Sequence, residues 1–263
     1  MAMSFLLKGD VCRPGRIEIE KGMTLRTIVD ELGGGMANGK RFKAMQIGGA
    51  SGGLLVEEQL DLAFDLKALA PLGVRRGDGV ILVCDEDRCM VDLCYRLMPC
   101  TQEEFCGKCV SCREGTRRMD EMLRDLKEYR LASACMPRLM GIGEMVSVTA
   151  FCALGKGCFS TLQAAYQHFP EEFCAHLDGH CALCENDQRP AIEPGNIPFD
   201  RKRIVIDPDA CRGCSRCARS CHAEAISGVI KSPFVIDPEK CVKCYNCMDL
   251  CAFGAIREVF VDA

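Results

Sequence analysis

The sequence has almost no excess charge, no apolar run long enough to cross a bilayer, and no nucleotide-binding glycine fingerprint. A net charge of −4 over 263 residues, without a patch where basic and aromatic residues interleave, gives no nucleic-acid-binding signature. The longest uncharged apolar stretch, Met145 to Gly155, is too short for a membrane span. Met1 to Gly9 likewise holds too short an apolar run for a secretory signal. Neither G-x-G-x-x-G nor G-x4-G-K-[ST] occurs between a strand and a helix, so Gly48-Gly49 and Gly52-Gly53 read as turns or close backbone approaches, not as a phosphate cradle. The expectation is a soluble, cytoplasmic chain of two or three domains with no direct membrane insertion, in which 48% hydrophobic residues supply the cores.

Cysteine, by contrast, is abundant: there are 22. They fall in metal-ligand spacings, which fits a reducing compartment better than a disulfide scaffold. Cys211, Cys214, Cys217 and Cys221, then Cys241, Cys244, Cys247 and Cys251, repeat C-x2-C-x2-C-x3-C. This run resembles bacterial two-cluster ferredoxins, in which three thiolates of one run hold a [4Fe-4S] cube and the fourth ligates the other cluster. One cluster is then expected on Cys211, Cys214, Cys217 and Cys251, the other on Cys241, Cys244, Cys247 and Cys221. The halves also repeat outside the cysteines. Ile206-Asp207-Pro208 matches Ile236-Asp237-Pro238, and Glu224-Ala225-Ile226 matches Gly254-Ala255-Ile256, as in a duplicated strand–loop–helix unit. Such ferredoxins usually carry Pro after the fourth Cys, where this chain has His222 and Ala252. His222 reads either as a surface or supporting residue, or as one whose N–H bonds a cluster sulfur and tunes its potential.

Upstream, residues 1–86 alternate short aliphatic runs with glycine. Strands are expected at Ser4–Leu7, Arg16–Ile19, Ala44–Ile47 and Val80–Cys84, with a helix from Thr24 to Leu32. Thr24 can cap that helix, Leu25, Ile28, Val29 and Leu32 share one face, and Gly33 follows the last turn. From Thr101 the pattern becomes helical, with Thr101 and Glu104 fitting a capping box. Met119, Met122, Leu123 and Leu126 form an apolar stripe that reads as core, and Phe159, Leu162, Tyr166 and Phe169 form a second that ends at Pro170. The expected fold is α+β and multidomain: a small sheet domain over 1–88, a helical bundle over 89–184, a proline-bearing linker over 185–200, and a two-cluster ferredoxin domain over 201–263.

Phe105-Cys106-Gly107-Lys108-Cys109-Val110-Ser111-Cys112-Arg113-Glu114-Gly115 supplies a third C-x2-C-x2-C loop. Structural zinc more often pairs two C-x2-C knuckles, so iron–sulfur is the better reading. On spacing alone the fourth ligand is open among Cys135, Cys152 and Cys158. The Cys-Gly-Lys-Cys…Cys-Arg-Glu-Gly segment resembles the N-type cluster motif of the complex I flavoprotein subunit and of the related NAD-linked and electron-bifurcating hydrogenases. That resemblance places the fourth ligand in a Cys-x-Leu-Gly turn, which maps onto Cys152-Ala153-Leu154-Gly155. It extends through Gly9-Asp10-Val11, Arg13-Pro14-Gly15, Gly48–Gly53 and Asp85–Asp92, which are similar to the family's β-grasp, soluble-ligand-binding-like domain. The fused ferredoxin favours the hydrogenase-like branch.

In that family the β-grasp domain follows a flavin- and NADH-binding domain, and this chain begins where that domain should end. The resemblance therefore implies a relay without FMN or NAD of its own and without a complete catalytic site. Single electrons would pass through three [4Fe-4S] clusters between a flavin-bearing or other redox subunit and a ferredoxin or further iron–sulfur subunit, within a hetero-oligomer. A truncated or split β subunit of an NADH dehydrogenase or bifurcating hydrogenase is an alternative, as is a protein whose clusters only brace the fold. Among the remaining cysteines, Cys181 and Cys184 form a knuckle beside His176 and His180. With Cys89 as the distant ligand, or Cys84 or His180 in its place, Cys181, Cys184 and His176 could complete a structural zinc site. Cys12, Cys94, Cys100, Cys135 and Cys174 read as small hydrophobes.

Overall fold

A computed structural model describes residues 3–20, 22–187, 202–243 and 246–260. The N-terminal part is built on one sheet of order β2-β1-β5-β3-β4. Its strands are β1 (Met3–Gly9), β2 (Gly15–Ile19), β3 (Phe42–Ile47), β4 (Gly53–Val56) and β5 (Val80–Asp85). β1 pairs antiparallel with β2 and parallel with the central β5, and β3 runs antiparallel to both β4 and β5. The four expected strands are present. β4 adds a fifth, which the sequence pattern conceals because its four residues lie directly behind a glycine cluster that reads as turn.

Side-chain alternation explains why β4 and β5 are buried at every position. Met45, Ile47, Leu55, Ile81 and Val83 point to one face, where they pack with Phe5, Leu7 and Phe64. Ala44, Leu54, Leu82 and Cys84 point to the other and join the helical core. A period of two thus serves two cores from one sheet. On the first face lies α1 (Leu25–Thr27), continued as a π turn over Ile28–Leu32. The Thr24 hydroxyl accepts from the Thr27 amide at 3.1 Å, the expected cap. Gly33 closes the π turn by donating to the Ile28 carbonyl at 2.9 Å. A short helix, α2 (Leu66–Leu69), precedes β5.

On the second face stands the bundle: α3 (Met90–Glu104), α4 (Val110–Lys127), α5 (Met136–Thr149), α6 (Ala153–Gly157), α7 (Ser160–His168), α8 (Pro170–Leu177) and α9 (Ala182–Asn186). Met119, Met122, Leu123 and Leu126 are all buried in its core, as their spacing predicts. Phe159 and Leu162 are buried as well, with Tyr166 and Phe169 packed at the edge. Pro170 occupies the first turn of α8, where a missing N–H costs nothing. The Thr101–Glu104 capping box does not exist. Thr101 lies in the last turn of α3, and its hydroxyl donates to the Leu97 carbonyl at 3.0 Å. The helix starts at Met90, whose amide donates to Glu172 Oε2 at 2.7 Å, so a distant carboxylate caps it. Glu172 also meets Lys43 at 2.5 Å, with both side chains at most 10% exposed, and this pair pins β3 to the bundle.

Beyond the bundle, Glu185 and Asn186 are helical, and the rest of the expected linker, 188–200, lies outside the described residues. The C-terminal part pairs β6 (Lys202–Ile206) with β9 (Ile256–Phe260), and β7 (Ile226–Ser227) with β8 (Val235–Ile236). Two short helices, α10 (Arg216–Arg219) and α11 (Asn246–Leu250), cross a core of Ile204, Ile226, Phe234 and Ile256. No helix among the described residues is long and apolar enough to cross a membrane. Of the leftover cysteines, Cys94 is buried, Cys100 and Cys135 are half-buried, and Cys12 and Cys174 are exposed. The small-hydrophobe reading therefore fails for Cys12 and Cys174.

The bundle's tightest contact falls at Gly143 of α5, where an added Cβ would lie 2.0 Å from the Phe159 ring. Gly143→Ala gains at most about 1 kcal/mol of helix propensity but overpacks a buried ring at a cost of about 1–3 kcal/mol. We expect a net loss of stability, read as a lower urea midpoint with an unchanged slope.

Candidate metal centres

In the C-terminal repeat, the turn conformations explain why the sequence is duplicated. Glu224 and Gly254 both have positive φ, 53° and 62°. Each turns the following amide onto the fourth sulfur of its run: Ala225 N lies 3.3 Å from Cys221 Sγ, and Ala255 N 3.4 Å from Cys251 Sγ. The Asp207 amide donates to the Ala255 carbonyl at 2.7 Å, and the Asp237 amide to the Ala225 carbonyl at 2.8 Å. Each half is therefore locked to the other through the residues that recur. Cys211, Cys214, Cys217 and Cys251 line one cavity. Cys221, Cys241 and Cys247 line a second; Cys244 lies outside the described residues. Each ferredoxin cavity thus takes one cysteine from the opposite half of the repeat.

In the bundle, Cys106, Cys109, Cys112 and Cys152 line a third cavity, which Cys135 and Cys158 do not. Gly107, with φ of 69°, reverses the loop between the first two cysteines. Cys109 occupies the N-cap position of α4 without a side-chain bond to its first turn, and Cys152 caps α6 by accepting from the Gly155 amide at 3.5 Å. Two helix N-termini thus face the sulfurs, with the sign of field that favours anionic groups. A Cβ on Gly155 would come within 2.7 Å of the Ala150 Cβ and 3.2 Å of the Cys112 sulfur, which explains the glycine of the Cys-x-Leu-Gly turn. Burial, and then the Cys152, Cys109 and Cys106 sulfurs, push the Cys112 thiol up to about 12. Crowded sulfurs of this kind deprotonate together only around a cationic centre. Cys158 is buried nearby, its thiol pushed up by burial.

A fourth group gathers Cys89, His176, Cys181 and Cys184, whose donor atoms all lie within 4.8 Å of one another. Cys84 and His180, the alternatives considered for this group, are not in it, and His180 is exposed. His176 Nδ1 donates to the Leu126 carbonyl at 3.1 Å, which leaves the Nε2 lone pair facing Cys89 Sγ at 3.3 Å and Cys184 Sγ at 3.6 Å. This is the tautomer a metal-ligating imidazole needs. Tyr129 stacks on the ring at 5.0 Å. The thiol of Cys184 is pushed down to about 4 by its hydrogen bond to Cys89, against burial, with help from the Lys127 ammonium at 3.4 Å. Cys89 is pushed up by that same hydrogen bond, and Cys181 by burial. Lys127, Tyr129 and the Leu126 carbonyl carry no spacing signal, since they reach the site only through the packing of α4 on α8.

His222, the residue in the usual proline position, is half-buried, and its imidazole meets the bundle. Nε2 lies 3.5 Å from Cys106 Sγ, and Lys108 Nζ donates to the His222 carbonyl at 2.9 Å. Burial and then Lys108 lower its pKa, which keeps the ring neutral. Its partner is a cysteine of another cavity, whereas the reading that placed an N–H on a cluster sulfur named no particular sulfur. The glycines at 48–53 are a close backbone approach. A Cβ on Gly48 would lie 2.3 Å from the Arg75 carbonyl oxygen, and one on Gly49 2.2 Å from the Asp78 carboxylate, a neighbour that repels phosphate.

Thiol-lined cavities at helix N-termini, joined to a duplicated cysteine fold, define an iron–sulfur electron-transfer protein. Comparison with known proteins specifies which. Residues 92–176 match the NADH-ubiquinone oxidoreductase-F iron-sulfur binding region, and residues 203–252 match a 4Fe-4S dicluster domain. The chain is 36% identical over 229 residues to the NADP-reducing hydrogenase subunit HndC of Solidesulfovibrio fructosivorans, covering 87% of this chain and 44% of that one. It is 35% identical over 202 residues to the F subunit of NADH-quinone oxidoreductase from Mycobacterium tuberculosis, covering 77% and 42%. A crystal structure of NAD+-reducing [NiFe]-hydrogenase in the H2-reduced state shares the fold, with a TM-score of 0.58 at 24% identity over 68% of this chain and 29% of that one. The protein belongs to the family that HndC forms with the F subunits of NADH-quinone oxidoreductases. It spans less than half the length of these curated relatives.

In metal-free protein the depressed Cys184 pKa means that its thiolate persists as pH falls from the ordinary thiol value of about 8.5 and is lost only through about 4. Ultraviolet thiolate absorbance at pH 6 should therefore drop by about one thiolate in Cys184→Ser and not change in Cys181→Ser.

Proposed function

We propose that the chain is the electron-relaying subunit of a cytoplasmic multisubunit oxidoreductase of the NAD(P)H-linked, hydrogenase or bifurcating type. It would hold three [4Fe-4S] clusters: on Cys106, Cys109, Cys112 and Cys152; on Cys211, Cys214, Cys217 and Cys251; and on Cys241, Cys244, Cys247 and Cys221. The observation that carries this reading is the set of separate thiol-lined cavities, each with a fourth cysteine drawn from elsewhere in the chain. Bound clusters supply one-electron chemistry. The chain's own residues supply sulfur ligands, helix N-termini that favour negative charge, and the backbone amides of Gly155, Ala225 and Ala255 directed at the Cys152, Cys221 and Cys251 sulfurs.

Three hydrophobic clusters support a division into a β-grasp domain over 1–88, a bundle over 89–184 and a ferredoxin domain over 201–263, with a linker over 185–200. Cys89, His176, Cys181 and Cys184 fit one structural zinc, a closed Cys3His set. Cys89 opens α3 while the other three come from the bundle's end, so the ion would clamp those two points. A density of thiols that needs a reducing compartment supports the cytoplasm.

The partners would be a flavin-bearing or other redox subunit and a ferredoxin or further iron–sulfur subunit. This chain matches less than half of each relative's length, and a split β subunit whose flavin domain is a separate polypeptide is an alternative form of this reading.

The reconstituted chain should bind about twelve iron and twelve sulfide, four per cluster. Cys152→Ala should remove or convert one cluster and spare the other two, seen by EPR; the same effect from Cys158→Ala instead would reassign the ligand. Elemental analysis should find about one zinc per chain, lost in His176→Ala, while a zinc-free, chelator-resistant protein would remove that site. The isolated polypeptide should bind no FMN and show no NAD(P)H dehydrogenase activity, although dithionite reduces its clusters. Stoichiometric FMN, or bleaching by NADH alone, would make it an enzyme in its own right.

A further inference from the structure

The two ferredoxin cavities are not equivalent toward the bundle. Val242, in the loop that follows Cys241, lines the bundle cavity beside Cys106, Cys109, Cys112 and Cys152. The same residue lines the cavity of Cys221, Cys241 and Cys247. Among the described residues that line the cavity of Cys211, Cys214, Cys217 and Cys251, none lines the bundle cavity. His222 adds an independent contact. It follows Cys221 directly in the chain, its Nε2 is 3.5 Å from Cys106 Sγ, and Lys108, between Cys106 and Cys109, holds its carbonyl at 2.9 Å.

From these contacts, and resting on the cluster assignment above, we propose that His222 and Val242 make the ferredoxin site of Cys221, Cys241, Cys244 and Cys247 the neighbour of the bundle site, and that the His222 imidazole donates its Nε2 hydrogen to the Cys106 sulfur. A metal-bound thiolate carries no proton and can only accept, which fixes the direction of that bond. Hydrogen bonds to cluster sulfurs favour the more negative, reduced state and raise the potential. His222 is a positioning residue: its peptide bond to Cys221, its own side chain and one hydrogen bond connect Cys221 to Cys106. Clusters held at these two sites would exchange a single electron, one being oxidised and the other reduced by one, with no bond made or broken and no proton moved. Among the described residues, the Cys211 site meets the bundle site only through its sister.

The test uses the full chain reconstituted with iron and sulfide and reduced with dithionite. In EPR-monitored titrations, His222→Phe should lower the midpoint potential of the bundle cluster and leave that of the Cys211 cluster unchanged, and His222→Gln, which keeps an N–H donor, should restore it. In the fully reduced protein, the spin–spin broadening of the bundle signal should vanish in Cys241→Ala and persist in Cys214→Ala. Broadening that follows Cys214 overturns the order, and an unchanged potential in His222→Phe overturns the hydrogen bond. Loss of bundle iron in both His222 variants would also overturn the bond, by showing that the residue braces the fold. A wild-type chain with only about eight iron would instead defeat the cluster assignment, and this inference with it.

Discussion

Three sulfurs from residues spaced three apart can face one point only if the backbone between them reverses, and that constraint organises the metal-binding half of this chain. In each C-x2-C-x2-C loop the reversal falls on a residue with positive φ: Gly107 at 69°, Gly213 at 64° and Lys243 at 49°. Two are glycine, for which this conformation carries no steric cost. Lys243 adopts it with a Cβ, which carries a steric cost. Once the loop is reversed, the helix that follows presents its N-terminus to the sulfurs, and the fourth cysteine must arrive from another element.

That last requirement determines how much can be read from the sequence. The ferredoxin cysteines are legible because both loops and the repeat around them are local patterns; the roles of Glu224 and Gly254, Ala225 and Ala255 follow from the same duplication. Cys152 is not legible from spacing, since Cys135 and Cys158 are equally reachable along the chain. Only a family resemblance singles it out, and the cavity agrees with that choice. Cys89 is reached in the same way, whereas Lys127 and Tyr129, which set the charge and orientation around His176, leave no trace in the sequence.

The failures share one cause. Thr101 and Glu104 form a legitimate local capping pattern, but the carboxylate that caps α3 is Glu172, 82 residues away. β4 hides behind the glycines whose close approach to the loop at residues 75–78 it depends on. His222 adjoins its own cluster loop in sequence, yet the sulfur it faces is that of Cys106. In each case the deciding partner is distant in sequence, and local propensity gives no hint of it. The buried Lys43–Glu172 pair is the sharpest instance, because one carboxylate both caps a helix and neutralises a lysine from the sheet.

The pairing of β6 with β9 brings residues 202–206 against residues 256–260, while each ferredoxin cavity borrows a cysteine from the opposite half. During synthesis the cavity of Cys211, Cys214 and Cys217 cannot close until Cys251 has emerged from the ribosome, whereas the second cavity finds Cys221 already made. The first cavity therefore completes only after the whole second loop has been made, and β6 stays unpaired until β9 follows it. Until then Cys211, Cys214 and Cys217 stand open in a nascent chain that the cell has to keep reduced.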